Sequence, residues 1–123
     1  MLENDWFSLI EFISEKFPHI IQAVTTNGSI AHILKSDNNK KNIFLKCISE
    51  VDVSLDYCCA NVHNKIRNND AAFDWAIDTM KFCNENGIKL TVVTIGLNDT
   101  LKIDNIKGIF DIAEKYNAYT IIE

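Results

Sequence analysis

Apolar side chains recur every three or four positions at the start of the chain. Trp6, Leu9, Ile10, Ile13 and Phe17 form one stripe, which predicts a helix from Asp5 to Phe17. Asn4 or Asp5 can cap that helix, and Pro18 stops it. The pattern then changes: Ile20 to Thr25 is apolar and β-branched, is closed by the turn pair Asn27-Gly28, and reads as a short buried strand. Ser29 to Leu34 suits a short helix, Ser36 to Asn42 a polar loop, Asn42 to Ile48 a second short helix, and Val51 to Leu55 a strand. Asp56 to Asn69 is polar. Asp70 is placed to cap a helix whose Phe73, Ala76, Ile77, Met80 and Cys83 share a face and which Gly87 ends. Lys89 to Ile95 is a strong strand, and Leu97 to Lys102 a polar turn. Asp104 is placed to cap a helix with Ile106, Ile109, Phe110 and Ala113 toward the core, and Ala118 to Ile122 is a last strand.

Helices and strands thus alternate, which implies parallel strands joined by right-handed helical crossovers and an α/β fold in one domain. The first element is a helix with no strand before it, and the last is a strand with no helix after it. A complete doubly wound domain, or a (β/α)₈ barrel of about 250 residues, does not normally begin and end so. Two expectations fit: a small four-stranded domain with an uncovered last strand, or the middle of a larger barrel.

Composition narrows the function classes. The 123 residues are 47% hydrophobic and 24% charged with a net charge of −5, a balance that argues against a duplex-binding protein and its basic stripe. No run approaches the ~18 uncharged apolar residues of a membrane span, and the amino terminus lacks the build of a signal peptide. Cys47, Cys58, Cys59 and Cys83 form no evenly spaced disulfide framework, so a reducing cytoplasm is expected. Their spacing also suits neither a structural zinc site nor a cluster loop, and no P-loop, GxGxxG, HExxH or GxSxG motif is present.

Chemistry in parallel α/β folds collects at the carboxyl ends of strands. Those positions are Thr25 to Gly28, Ser54 to Asp56 and Gly96 to Asp99, each small and polar where a purely structural strand end would also be wet. Ser54 and Asp56 alternate with Leu55 and so share one side of the strand end. Arg67, the only arginine, is either a guanidinium for a bidentate carboxylate contact or a surface residue beside Asp70. His63 is a candidate general base without an evident carboxylate partner, and a solvated or loop-packing role suits it better.

The words VTTNGSI and EVDVSLDYCCANVHNKIRNNDAAFDWAIDTMKFCNENGIKLTVVTI, in this order and at this spacing, resemble the radical S-adenosylmethionine (radical SAM) enzymes. The first resembles the segment in which TNG closes that family's third strand. The second resembles its fourth strand (V-x-V-S-L-D), the H-[DN]-x-[IF]-R helix start, a Phe some six residues on, and a Gly-Ile leading into the fifth strand. The resemblance covers nearly the whole chain and implies a partial TIM-like (β/α) barrel of about four parallel strands, incomplete at both ends. It also implies a parent enzyme in which a 4Fe-4S cluster reductively cleaves S-adenosylmethionine to a radical that abstracts hydrogen from a substrate. The family's CxxxCxxC loop and Gly-Gly-Glu motif are not in this sequence, and both are expected upstream of Met1. The isolated chain is therefore expected to be inactive and to bind no cluster.

Carried over position by position, Ser54 matches a contact to the methionine carboxylate or ribose. Arg67 matches an arginine that assists with the carboxylate or supports the loop. Asn27 and Asn98 stand where ribose and adenine contacts are usual, and Asp56 matches an acid that organises the strand-end loop. Tyr57-Cys58-Cys59 and Asn68-Asn69 depart from the Gly and Pro usual there. Two other classes remain: a free-standing receiver-like α/β module with Asp56 as phosphoryl acceptor, and an interaction module that completes its sheet with another chain, self-association through unclosed edges included.

Overall fold

A computed structural model describes residues 4–123. The elements in chain order are α1 (Asn4–Lys16), β1 (Ala23–Thr26), α2 (Ile30–Ser36), α3 (Asn38–Cys47), β2 (Glu50–Ser54), α4 (Ala60–Arg67), α5 (Ala72–Glu85), β3 (Lys89–Thr94), α6 (Ile103–Lys115) and β4 (Tyr119–Ile122). The four strands form one all-parallel sheet in the order β1-β2-β3-β4. No helix of the described residues is long and apolar enough to cross a membrane.

Order and hand together decide the layering. Right-handed crossovers between strands that follow one another in space as in sequence place every connecting helix on the same face. Burial agrees with this. Val51, Val53, Leu90 and Val92 are fully buried or nearly so, on the face that packs against α5 and a core of Ile10, Leu34, Phe44, Met80 and Cys83. Strand alternation turns the other set outward. There the register aligns Thr25, Asp52, Thr91 and Tyr119 in one row and Ser54, Val93 and Ile121 in the next. Most of this second face is only partly covered, and Tyr119 on β4 is 66% exposed.

Several local expectations are corrected. The polar stretch 36–42 is not a loop: α3 begins at Asn38 because Asp37, in extended backbone, accepts from the N–H of Lys40 at 3.0 Å. The polar stretch 56–69 contains α4, which ends at Asn68 in the left-handed conformation (φ 50°). The first strand starts at Ala23, not Ile20. Ile20 and Ile21 are exposed because the Gln22 amide ties this connection to α1, donating to the Ile10 carbonyl and the Ser14 hydroxyl at 2.9 Å each. In α1 the buried residues are Phe7 and Ile10, while Leu9 and, just past the helix, Phe17 stay half exposed; Asn4 and Asp5 lie inside the first turn and not at a cap, and the position before Asn4 lies outside the described residues.

Neither Asp70 nor Asp104 caps a helix. The first N–H groups of α5 are met by Asn69, which accepts from Ala71 at 2.9 Å, and Asn64, which accepts from Phe73 at 2.8 Å. Asp104 sits inside the first turn of α6, where a negative charge suits the helix dipole. Of the apolar set on α6, Ile109 and Ala113 are buried but Phe110 is half exposed.

Candidate functional site at the carboxyl pole of the sheet

Parallel strands bring Thr26, Ser54, Thr94 and Ile122 to one pole, and three features hold the loops above them. The first is Gly28. It has φ 99°, and an added Cβ would lie 2.4 Å from the backbone nitrogen of Ala76, so the loop after β1 rests directly on the α5 backbone. The buried Thr79 hydroxyl, one turn on, donates to the Gly28 carbonyl at 2.7 Å. Thr26 accepts from the Gly28 N–H and Asn27 from the Ser29 N–H, both at 3.0 Å, which completes the turn.

The second feature is Asp56, 7% exposed. One carboxylate oxygen accepts from the Ile95 N–H at 3.0 Å and the other from the Arg67 guanidinium at 2.6 Å. A single side chain thus ties the end of β2 to the end of β3 and to the last turn of α4. Arg67 pairs with Asp56 rather than with Asp70. Next to it Thr94 donates to the Leu55 carbonyl at 2.8 Å.

The third is Asn105, on the first turn of α6, which nothing local in the sequence singles out. Its oxygen accepts from the Cys58 N–H at 2.8 Å, and its nitrogen donates to the carbonyls of Asp56 at 2.8 Å and Thr100 at 2.9 Å. Gly108, one turn along, faces Cys58 so closely that a Cβ there would lie 2.4 Å from the sulfur. Together these contacts seat Tyr57-Cys58-Cys59 on α6. The same loop borders a groove of about 720 Å³ with Val62 and Ile66 of α4.

His63 is the unexpected member. It is 1% exposed, not solvated, and meets the Phe73 ring edge-on with centroids 6.2 Å apart. Its Nδ1 has no hydrogen-bond partner among the described residues. Burial holds its pKa below the ordinary imidazole value; the Arg67 cation adds to this, and Asp56 offsets it in part. The helical spacing His63-Arg67 (i, i+4) is the one sequence signal that places the two on a common face.

That depressed pKa has a stability consequence of definite sign. The unfolded chain protonates His63 as pH falls below about 6.5 while the folded chain does not. The stabilisation is complete above that pH and declines on acidification, by at most about 1.4 kcal/mol per pH unit, until the folded-state pKa is reached. Urea unfolding between about pH 7 and pH 5.5 is expected to show this extra slope in the native chain and to lack it in His63→Leu. Parallel slopes would rule out a buried neutral imidazole.

The five residues expected at the site are only partly brought together. Asp56 and Arg67 are bonded, and Arg67 and Asn27 border one cavity with His63. Ser54 stands apart on the open face of the sheet, and Asn98 is exposed in the 97–102 turn. Among the described residues no group of three or more His, Cys, Asp or Glu is placed to hold a metal ion. Cys47 and Cys83 are buried in separate helices, and burial pushes the Cys83 thiol up to about 12. These side chains therefore do not fit an iron–sulfur cluster. No protein-family model matches the chain, and no curated protein matches it.

Proposed function

We propose that this chain is part of a radical SAM barrel, contributing strand ends that cradle S-adenosylmethionine, with the cluster held by residues outside this sequence. The observation that carries the reading is the sequential order of the parallel strands, with Ser54 of the V-S-L-D word on the uncovered face at the carboxyl end of β2. Sequential order is that of a (β/α) barrel wall, helices outside and one face inward. A receiver-like sheet has the order 2-1-3-4-5 and a switch point, which this order lacks.

Within this reading Ser54 offers a hydroxyl toward the methionine carboxylate or ribose, and Asn27 after β1 and Asn98 in the turn after β3 supply further polar groups at the same pole. Asp56 and Arg67 hold the loop, since the bond between them engages both. No reductive step is assigned to the chain, because its own side chains do not fit a cluster.

Titration with S-adenosylmethionine, followed by amide NMR, is expected to perturb Ser54, Asn27 and the 96–99 loop, and Ser54→Ala is expected to weaken the response several-fold. After incubation with iron, sulfide and dithionite the chain is expected to release no 5′-deoxyadenosine. Perturbations confined to the amino ends of the strands, or none, would overturn the cradle; deoxyadenosine release would overturn the assignment of the cluster to residues outside this sequence.

A second reading has one observation in its favour: Tyr119, Ile121 and Ile122 of β4 are exposed, as suits a sheet completed by another chain. Sedimentation velocity showing a monomer at high concentration would count against self-association.

A further inference from the structure

Between the β1 loop, the His63–Arg67 side of α4 and the first turn of α5 lies a cavity of about 190 Å³ bordered by Asn27, His63, Arg67, Asn69, Ala72 and Trp75. A molecule of liquid water occupies about 30 Å³, so this space has room for several waters. Ser54 does not border it; Asn27 enters it from the β1 loop, and the other walls come from α4, α5 and the turn between them.

The wall chemistry is one-sided. No carboxylate borders the cavity, while the only guanidinium of the chain does. Arg67 carries five N–H donors, and its bond to Asp56 is made through Nη2, which leaves Nη1 and Nε. Asn27 and Asn69 each direct the side-chain oxygen to a backbone N–H of their own turn, Ser29 and Ala71 respectively, so the NH₂ of each is the end left for the cavity. His63, 1% exposed, forms part of the wall of the same space.

We propose that this chamber binds a small oxyanion, a carboxylate or a phosphate group, held by Arg67 and by the side-chain amides of Asn27 and Asn69. The proposal does not rest on the S-adenosylmethionine reading. Donors of fixed direction around one cation suit an oxyanion, and charge-assisted hydrogen bonds are the strong ones.

The test uses the full chain, titrated at constant ionic strength with inorganic phosphate in one arm and acetate in the other. The readouts are the Trp75 indole N–H and the side-chain amide signals of Asn27 and Asn69 by NMR. Saturable shifts of these signals are expected, the tighter arm identifying a phosphoryl or a carboxylate ligand. Asn27→Asp retains the oxygen that accepts from Ser29 but sets a carboxylate where the NH₂ stood; because Asn27 is exposed, the variant is expected to fold. It is expected to weaken binding at least tenfold. Asn69→Asp, which keeps the bond to Ala71, repeats the test from the opposite wall. The proposal is overturned if neither anion gives a saturable shift, or if both Asp variants bind as the native chain does. It is also overturned if S-adenosylmethionine displaces the anion in direct competition, since the chamber would then belong to the cradle.

Discussion

Gly28→Ala is expected to destabilise the fold by about 3 to 5 kcal/mol, from a backbone angle that L side chains resist together with overpacking against a helix. The three nearest atoms to the added methyl, within 2.4–2.6 Å, are all backbone atoms of Trp75 and Ala76, so no rotamer change relieves the contact. Either α5 retreats from the sheet or the β1 loop lifts, and lifting it also breaks the bond from the buried Thr79 hydroxyl. Gly87→Ala is the internal control. Its φ of 67° is also left-handed, but nothing lies within 4 Å of the added methyl. That variant is expected to cost only about 1 kcal/mol. Urea midpoints of the two variants measure the contact free of the torsional strain. Equal losses would show that the close approach of loop and helix contributes nothing.

Asp56→Ala is expected to cost about 2 to 3 kcal/mol. The substitution leaves the Ile95 N–H and the Arg67 guanidinium without their acceptor at a nearly dry position. Full burial of both partners would raise the figure, but the Arg67 side chain is 32% exposed and water recovers part of its hydration. Asp56→Asn keeps a neutral acceptor for Ile95 and is expected to fall between the native chain and Asp56→Ala. The double-mutant cycle with Arg67→Ala isolates the pair, and a coupling of about 1 kcal/mol or more is expected. A loss below about 1 kcal/mol for Asp56→Ala would mean that the loops at this pole are held without it. Against a total stability of about 5 to 15 kcal/mol for a domain, either substitution is a large fraction.

Much of the frame is readable in the sequence. β2 and β3 announce themselves because their inward residues, Val51, Val53, Leu90 and Val92, are β-branched or apolar at a two-residue period. Alternation of helix and strand then implied the parallel sheet. What stayed hidden shares a physical cause. α4 buries only His63, and its apolar pair Val62 and Ile66 faces outward, so within a polar run the helix looks like a wet loop. The start of α3 depends on one Asp37 hydrogen bond within a run of polar residues. Ile20 and Ile21 look like core because apolarity is local, whereas exposure depends on what packs there.

The site was legible as parts and not as an assembly. Asp56 and Arg67 each drew attention, yet nothing in a linear string says that they bond to each other. Asn105 is invisible for the same reason, since its three partners, Cys58, Asp56 and Thr100, all lie in loops that come together only when α6 docks.

The strand order has a consequence for how the molecule is made. Every strand pairs only with the strand just before or just after it along the chain, so the sheet can be laid down in the order of synthesis. No strand has to be inserted later between two already paired, as a doubly wound sheet requires. Each newly added strand becomes the growing edge until the next arrives, and a ribosome that pauses after β2 or β3 would present an unpaired parallel edge rich in valine. The interval between one strand and the next, rather than the finished fold, is where this chain is most open to pairing with a copy of itself.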